Sequence, residues 1–330
     1  MEIQLNGYYD KNIGDDIMQR LIVRAFPEHT FYVKPPQREM MAHLESEPNV
    51  VHGTTGKIMI NVIGTGFLFN SRISKVSKIL SKPTPKYEHS AVADCSIEPV
   101  NGRLSAMFTR NALMPYEHIS CRDRYSYDFI KERTKKEAVY FYPDIVFNQK
   151  APKRFGDCLG IAPVRRVYND VNYSYYKKLA EAADLFAETY GGRVLLFAFN
   201  NGFENDVSAC GSIRCLMKHG DKAEIVTYNS DIDGFLSAMA QCRMFICSRF
   251  HSAVLALLEE IPLIAMSDTH KLRDLADVFG FKYLNRDEAA DEIFSFIKNP
   301  GSPAGLKNDT VQAAHRHISA LEKWIEGIEK

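Results

Sequence analysis

Short β-rich runs alternate with helix-like segments along the whole chain, and this alternation restricts the fold more than any other feature of the sequence. In the first half we predict strands at residues 3–7, 30–33, 50–53, 58–63, 117–121 and 139–141. In the second half we predict strands at 158–164, 193–199, 224–228, 243–247 and 263–266, and helices at 173–189, 204–217, 231–240, 252–259 and 271–279. Such alternation is typical of parallel sheets covered by crossover helices.

The length of the chain, 330 residues, suits two domains of ordinary size. The polar, breaker-rich stretch NQKAPKRFGD at 148–157 is typical of a linker between them. We therefore predict an α/β protein with an N-terminal Rossmann-like domain over 1–150 and a C-terminal one over 151–330, facing each other across a cleft. The last helix, at 309–328, has apolar spacing compatible with packing back on the N-terminal domain.

The balance of 41 basic and 41 acidic residues gives no overall attraction to nucleic acid or to an anionic membrane, so any anion site must be local. Seven cysteines without CxxC pairs, and no apolar leader, indicate a reducing cytoplasm. No window approaches the roughly 18 apolar residues of a bilayer crossing, so we expect at most peripheral membrane contact. No residue spacing indicates a metal site or a dinucleotide fingerprint, so we predict neither metal nor cofactor.

The stretch FICSRFHSAVLALLEE has the strongest functional signal, because a predicted buried strand ends directly before polar residues and an apolar helix. We place Ser248, Arg249, Phe250 and His251 in the strand-to-helix turn, where free N–H groups and the helix dipole favour an anion. The guanidinium of Arg249 adds a bidentate anion ligand, and His251 can exchange a proton near neutral pH. Alternatively, Arg249 pairs with a structural acid and His251 caps the helix.

A second cluster, KNIGDDIM, follows the first predicted strand and opens a helix near residue 13 or 14. Asn12 and Gly14 are candidate substrate-binding residues, since glycine lets the backbone approach a ligand closely. Asp15 or Asp16 is a candidate base for a sugar hydroxyl. Both acids also suit simple stabilisation of a helix N-terminus, so this alternative stays open.

Charged residues also follow three other predicted strands. Arg122 and Asp123 follow the strand at 117–121, although adjacent residues of opposite charge often only fix a loop. Arg165 and Arg166 follow the strand at 158–164, and we select Arg165 because it is nearer the strand end. Lys271 lies at the turn after the strand at 263–266. In doubly wound sheets ligands bind beyond the carboxyl ends of strands, so these residues are further binding candidates.

Several motifs, taken in this order, resemble the polysaccharide pyruvyl transferase family: NIGDDIM, IGTGF, SCRDRYS, YPDIVF, IAPVRR and SRFHSAVLALLEEIPLIAMSDTHKLRDLADVFG. The resemblance covers residues 6–280, and the segment from Arg249 to His251 is its most specific part. Where many members have three consecutive glycines, this chain has Gly64, Thr65 and Gly66. The resemblance implies a two-domain architecture like that of GT-B glycosyltransferases.

Members of this family transfer a pyruvyl group from phosphoenolpyruvate to two hydroxyls of a sugar, which forms a cyclic ketal. The resemblance implies that Arg249, with Arg165 as a second clamp, holds phosphoenolpyruvate and that His251 is the essential general acid. From their predicted position in the other domain, we infer separately that Asp15 or Asp16 activates or orients the acceptor hydroxyls. The implied acceptor is a capsular, exopolysaccharide or cell-wall glycan precursor. A lipid-linked one would bring the enzyme to the inner face of the membrane.

Two other functions fit the same residues. One is a glycosyltransferase of the same shape that uses a nucleotide sugar, with Arg249 on its diphosphate. The other is a sugar-binding protein without catalytic activity, for which His251 would be dispensable.

Overall fold

The computed structural model describes residues 1–62, 87–165, 172–286, 291–306 and 309–330. The chain forms two compact units. The first contains Met1–Tyr9, Asp15–Gln149 and Asp309–Lys330, and the second contains Asp10–Gly14 and Lys150–Asn308. The predicted acceptor-side residues Gly64, Thr65 and Gly66, and also Arg166, lie outside the described residues.

The described strands of the first unit form one parallel sheet. They are β1 (Glu2–Gly7), β2 (Thr30–Val33), β3 (Val50–His52), β4 (Ile58–Val62), β5 (His89–Cys95), β6 (His118–Cys121) and β7 (Val139–Phe141). Their order is β3-β2-β1-β4-β5-β6-β7, and every described pair is parallel. All residues of β4 and β6 are buried, as expected for strands covered on both faces.

The described helices of the first unit are α1 (Ile13–Ala25), α2 (Arg103–Leu113), α3 (Arg124–Thr134) and the last helix of the chain, Thr310–Glu329. The boundary between the two units falls within α1, after Gly14. Two 3₁₀ helices lie at Arg38–Leu44 and Ile145–Asn148. The last helix buries Ala314, Ile318, Leu321 and Ile325, which recur at intervals of three and four residues. This apolar face packs on the 3₁₀ helix at Ile145–Asn148 and on β5 and β6.

The described strands of the second unit form a second parallel sheet. They are β8 (Cys158–Ala162), β9 (Val194–Ala198), β10 (Ala223–Thr227), β11 (Cys242–Cys247), β12 (Leu263–Met266) and β13 (Lys282–Leu284). The order is β10-β9-β8-β11-β12-β13. β8, β9 and β12 are buried at every residue, which explains their uninterrupted apolar sequences.

Helices of the second unit cover this sheet. They are α4 (Asn172–Tyr190), α5 (Asp206–Leu216), α6 (Ile232–Met239), α7 (Phe250–Leu258), α8 (His270–Phe279) and α9 (Asp291–Lys298). The last helix of the chain, Thr310–Glu329 in the first unit, is α10. A 3₁₀ helix lies at Gly220–Lys222. The core contains apolar residues of α4, α5 and α9 packed on β8, β9 and β11. Each fully buried Leu, Ile or Phe side chain contributes roughly 2–3 kcal/mol.

The predicted fold class, α/β with two Rossmann-like sheets, is confirmed. The prediction omitted β5 because its sequence HSAVADC places the polar side chains of Ser90 and Asp94 inside an apolar run, and both are buried. It also omitted β13, which has three residues. The start of α7 at 252 was wrong: the helix begins at Phe250, so His251 lies in its first turn.

Candidate functional site

The candidate site of the second unit lies at the carboxyl ends of β8, β11 and β12, which are neighbours in the sheet. Arg165 follows β8, Arg249 follows β11, and Lys271 follows β12 in the first turn of α8. Parallel neighbouring strands end at one edge of a sheet, so these three cationic residues follow the same edge. The expectation that site residues come directly after strands therefore leads to one end of the sheet in this unit.

Arg249 is the N-cap residue of α7, with an extended backbone. Its side chain is 13% exposed and forms ion pairs with two carboxylates. Nη2 donates to Asp206 Oδ1 at 2.5 Å, and Nη1 donates to Glu204. Burial alone would lower the pKa of Arg249, but the charges of Asp206 and Glu204 more than offset this and raise it. The alternative in which Arg249 pairs with an acid thus describes this structure.

The two acids that contact Arg249 differ in how firmly they are held. Asp206 is fully buried, and its carboxylate also accepts the N–H groups of Asn200 at 3.0 Å and Arg165 at 3.4 Å. Burial raises the pKa of Asp206, and the neighbouring Arg249 opposes this shift. The side chain of Glu204 is 39% exposed. Asp206 is therefore part of the framework, whereas Glu204 has access to solvent.

His251 lies one residue into α7 and is 9% exposed. Its imidazole packs against Gly14, where an added Cβ would lie 1.8 Å from Nδ1 and 2.3 Å from Cγ. The ring also meets the ring of Phe250 edge-on, with centroids 5.3 Å apart. Glycine at position 14 thus gives the imidazole its space. From the sequence we expected Gly14 to let a ligand approach the backbone closely. In the structure the imidazole of His251 makes this close approach.

The segment 10–14 is fixed to the loop that follows β9. The carboxylate of Asp10 accepts the N–H of Phe203 at 2.9 Å, and the N–H of Ile13 donates to the carbonyl of Phe199 at 3.1 Å. Gly202 packs so closely on Asp10 that a Cβ there would lie 2.1 Å from Oδ1. These bonds fix the start of α1 within the second unit.

Other predicted residues have defined local roles. Asn12 Oδ1 accepts the N–H of Gly14 at 3.1 Å, so Asn12 acts as the N-cap of α1. Ser248 is 4% exposed and accepts a hydrogen bond from the hydroxyl of Tyr175 at 2.6 Å. Lys271 is 7% exposed. Asn12 therefore caps the helix whose second residue contacts His251.

Asp15 and Asp16 belong to the first unit and lie in the first turn of α1. Asp16 is fully buried, with Oδ2 3.2 Å from Nδ1 of His43. Burial, together with the charge of Arg20, lowers the pKa of His43 to about 3. Asp15 is 4% exposed. Asp16 is thus a member of a buried cluster within the first unit.

Arg122 and Asp123 are also engaged within the first unit. Arg122 Nη1 donates to Asp144 Oδ2 at 2.7 Å and lies 3.5 Å from Asp94 Oδ2. Asp123 is the N-cap of α3 and accepts from the N–H and the hydroxyl of Ser126 at 2.8 and 2.7 Å. Arg122 therefore joins segments of the first unit through ion pairs, and Asp123 caps α3.

Among the described residues no group of three or more His, Cys, Asp or Glu side chains is arranged to bind a metal ion. No helix in the described part of the chain has the length and apolar character needed to span a bilayer.

Comparison with known proteins identifies the family. A family model described as polysaccharide pyruvyl transferase matches residues 12–270. This chain belongs to that family. The match includes the residues of the candidate site from Asn12 to His251. No curated protein matches the sequence of this chain.

Solved structures similar to this family member share its fold at low sequence identity. A putative UDP-N-acetylglucosamine 2-epimerase from Listeria monocytogenes has a TM-score of 0.64 at 11% identity, covering 99% of this chain and 96% of that one. HepE from Anabaena, in complex with UDP-glucose, has a TM-score of 0.62 at 10% identity, covering 99% of each chain. The UDP-GlcNAc 2-epimerase of Methanocaldococcus jannaschii has a TM-score of 0.60 at 9% identity, covering 98% of this chain and 99% of that one. These similarities establish the GT-B fold class.

From the sequence we did not select the residues that contact Arg249, nor the residue that fixes the segment at the start of α1. Glu204, Asp206 and Asp10 were not selected, although Glu204 and Asp206 follow β9 and Asp10 follows β1. The same rule about strand ends would have found them. What the sequence does not indicate is that Glu204 and Asp206 contact Arg249, 45 and 43 residues away, and that Asp10 contacts Phe203, 193 residues away.

Proposed function

We propose that this polysaccharide pyruvyl transferase uses phosphoenolpyruvate as donor and forms a cyclic ketal on two hydroxyls of a sugar. The observation that supports this most is the position of Arg249 and His251 at the start of α7, on the strand edge that Arg165 and Lys271 also follow. Phosphoenolpyruvate has a phosphate and a carboxylate on three carbons. Its binding requires several cations in a small space beside a proton donor.

Donor binding requires a change at Arg249, because both Nη atoms of its guanidinium already contact carboxylates. One cation with two carboxylates has a net negative charge, which repels an incoming anion. Glu204 is the ligand that leaves, because it is partly exposed, whereas Asp206 is buried and held by two N–H groups. The donor phosphate then takes the place of the Glu204 carboxylate, and the N-terminus of α7 adds its dipole.

The chemistry follows from these positions. His251 as general acid gives a proton to the methylene carbon, so that carbon becomes a methyl group and C2 becomes electrophilic. The first sugar hydroxyl adds to C2 and loses its proton. The second hydroxyl then forms the other C–O bond at C2 and gives its proton to the phosphate, as the bond from C2 to the phosphate oxygen breaks. Inorganic phosphate leaves, stabilised by Arg249 and the other cations.

The acceptor side of the proposal rests on the family and on the sequence. Asp15 is the better candidate to orient acceptor hydroxyls, because Asp16 is next to His43 in a fully buried cluster. A glycan precursor, soluble or lipid-linked, is the proposed acceptor. A cytoplasmic location and peripheral contact with a membrane stay predictions.

The test is incubation of the purified protein with phosphoenolpyruvate and candidate glycans. We expect phosphate release that depends on the acceptor, with a new ketal detected on the glycan by mass spectrometry. His251→Gln should keep the fold and lose at least a hundredfold in turnover. Release of a nucleoside diphosphate from a nucleotide sugar would instead identify a glycosyltransferase. Unchanged biological activity of His251→Gln with intact glycan binding would identify a sugar-binding protein.

A further inference from the structure

A cavity of about 490 Å³ lies in the first unit, between β6, β7 and α10. Its lining includes His118, Tyr140, Tyr142, Arg316, Lys323 and Trp324, and we call it the Trp324 groove. None of these residues was selected by the sequence analysis, and none takes part in the transfer proposed above. The groove is therefore a separate feature of the molecule.

Aromatic rings form one wall of the Trp324 groove. Tyr140 and Tyr142 are two residues apart around the end of β7, and their rings are stacked with centroids 6.0 Å apart and an interplanar angle of 8°. The ring of His118 lies 5.2 Å from Tyr140 and 6.3 Å from Trp324. Tyr140 as a whole residue is 37% exposed. Parallel, partly exposed rings offer a flat surface of the kind on which the C–H face of a sugar ring stacks.

The charges of the Trp324 groove have one sign. Arg316 and Lys323 line it, both are exposed, and in the described part of the chain no carboxylate is among the lining residues. The nearby Glu117 accepts the indole N–H of Trp324 at 3.2 Å and contacts His89 at 3.1 Å. The groove therefore favours an anionic ligand.

His118 is a buried residue of the groove wall. His118 is 2% exposed, and its Nε2 has no hydrogen-bond partner among the residues that the structure describes. Its ring adds to the aromatic wall of the groove beside Tyr140 and Trp324. Burial lowers the pKa of His118 to about 4, so its imidazole is neutral at neutral pH.

We propose that the Trp324 groove is a binding site for an acidic saccharide. The sugar ring stacks on the aromatic wall of Tyr140 and Tyr142, and its carboxylate pairs with Arg316 and Lys323. The ketal product of the transfer proposed above is itself an acidic saccharide, because the ketal has a free carboxylate. This identification of the natural occupant rests on the proposed function, whereas the binding site itself does not.

The test uses the single tryptophan of the chain, because its fluorescence reports on this groove alone. The full-length protein is titrated with trigalacturonic acid and with its neutral methyl ester, without any donor. We expect a saturable change of Trp324 emission with the acid and binding at least tenfold weaker with the ester. Tyr140→Ala and Lys323→Glu, both at exposed positions, should each weaken binding of the acid about tenfold.

The matched control is Tyr173→Ala, which removes a tyrosine that is 65% exposed in the second unit and should leave binding unchanged. The proposal is overturned by no saturable response, by equal binding of acid and ester, or by full binding in both groove variants. An emission change with anionic lipid vesicles but not with trigalacturonic acid also overturns it and identifies a membrane surface. Because no donor is present, these outcomes are independent of whether phosphate is released from phosphoenolpyruvate.

Discussion

The imidazole of His251 lies directly against the α-carbon of Gly14, and a methyl group there would come within 1.8 Å of Nδ1. These residues are 237 positions apart, and hydrogen bonds between segment 10–14 and the loop after β9 hold Gly14 in place. The position of the proposed general acid thus depends on a glycine in the N-terminal motif. Four predictions follow from this and other contacts of the described residues.

Gly14→Ala should displace the imidazole of His251, because its ring and the new methyl group cannot occupy the same space. We expect a loss of turnover of about a hundredfold, since a misplacement of about 1 Å has this effect on a catalytic group. Stability should fall by roughly 1–3 kcal/mol. Phosphate release and urea unfolding measure the two effects.

Gly211→Ala is the control for this substitution, because Gly211 lies in α5 of the second unit, and among the described residues no atom beyond the neighbouring helix backbone lies within 4 Å of the added methyl group. Alanine is the better helix former, so this variant should be equal or more stable, with unchanged turnover. Full activity of Gly14→Ala would show that the position of His251 does not matter for the reaction.

Glu204→Gln and Asp206→Asn should act on different properties, the first on KM and the second on stability, although both remove a carboxylate from Arg249. The neutral amide of Glu204→Gln competes less with the donor, so KM for phosphoenolpyruvate should fall about two- to fivefold. Asp206→Asn leaves a buried guanidinium without its main partner, which should cost about 3–5 kcal/mol. Steady-state kinetics and urea unfolding distinguish the two. A higher KM for Glu204→Gln would show that Glu204 orients Arg249 instead of competing with the donor.

Acid should destabilise the first unit through its buried histidines. Burial lowers the pKa of His317 to about 4, and its imidazole is hydrogen-bonded to Ser120 and to the carbonyl of Pro143. Because the folded pKa is below the usual 6.5, the stabilising contribution is present above that pH and is lost as pH falls toward 4. At pH 5 His317 should account for about 2 kcal/mol of lost stability.

The measurement is the free energy of unfolding between pH 4.5 and 7.5, for the wild type and for His317→Gln. The variant should have the shallower dependence on pH, whatever its absolute stability. His315→Gln, at an exposed position two residues earlier in α10, is the control and should keep the wild-type slope. Equal slopes for wild type and His317→Gln would contradict the prediction.

Glu259, at the end of α7, should make the second unit less stable at high pH. It is fully buried, and neither carboxylate oxygen has a hydrogen-bond partner in the described part of the chain. Burial raises its pKa to about 9, so its contribution to stability is present below about pH 4.5 and is lost as pH rises toward 9. Glu259→Gln should therefore be more stable than wild type by about 3 kcal/mol at pH 7, with little difference at pH 4.5.

Glu260→Gln is the matched control, because Glu260 is the next residue, is 55% exposed and pairs with Lys153 at the surface. It should change stability by less than about 0.5 kcal/mol. A wild type that is as stable as Glu259→Gln at pH 7 would show that a water molecule or a shift of the chain satisfies the Glu259 carboxylate.

Some elements follow directly from local sequence, and others do not. The strands β8, β9 and β12 are continuous apolar runs, so their burial on both faces is visible in the sequence. β5 is not visible, because its buried Asp94 is stabilised by long-range contacts with Arg122, His317 and the N–H of Ile145. Local patterns report propensity, whereas such burial depends on partners distant in the chain.

The sequence by itself determined the α/β class, the parallel sheets and the position of Arg249 and His251 after a strand, because periodicity and strand ends are local properties. Only the tertiary structure decided which atoms these side chains contact. It placed Glu204 and Asp206 on Arg249, Gly14 on His251, and His118, Tyr140 and Trp324 around one groove. Such contacts depend on how distant segments pack, and no local pattern of residues specifies that.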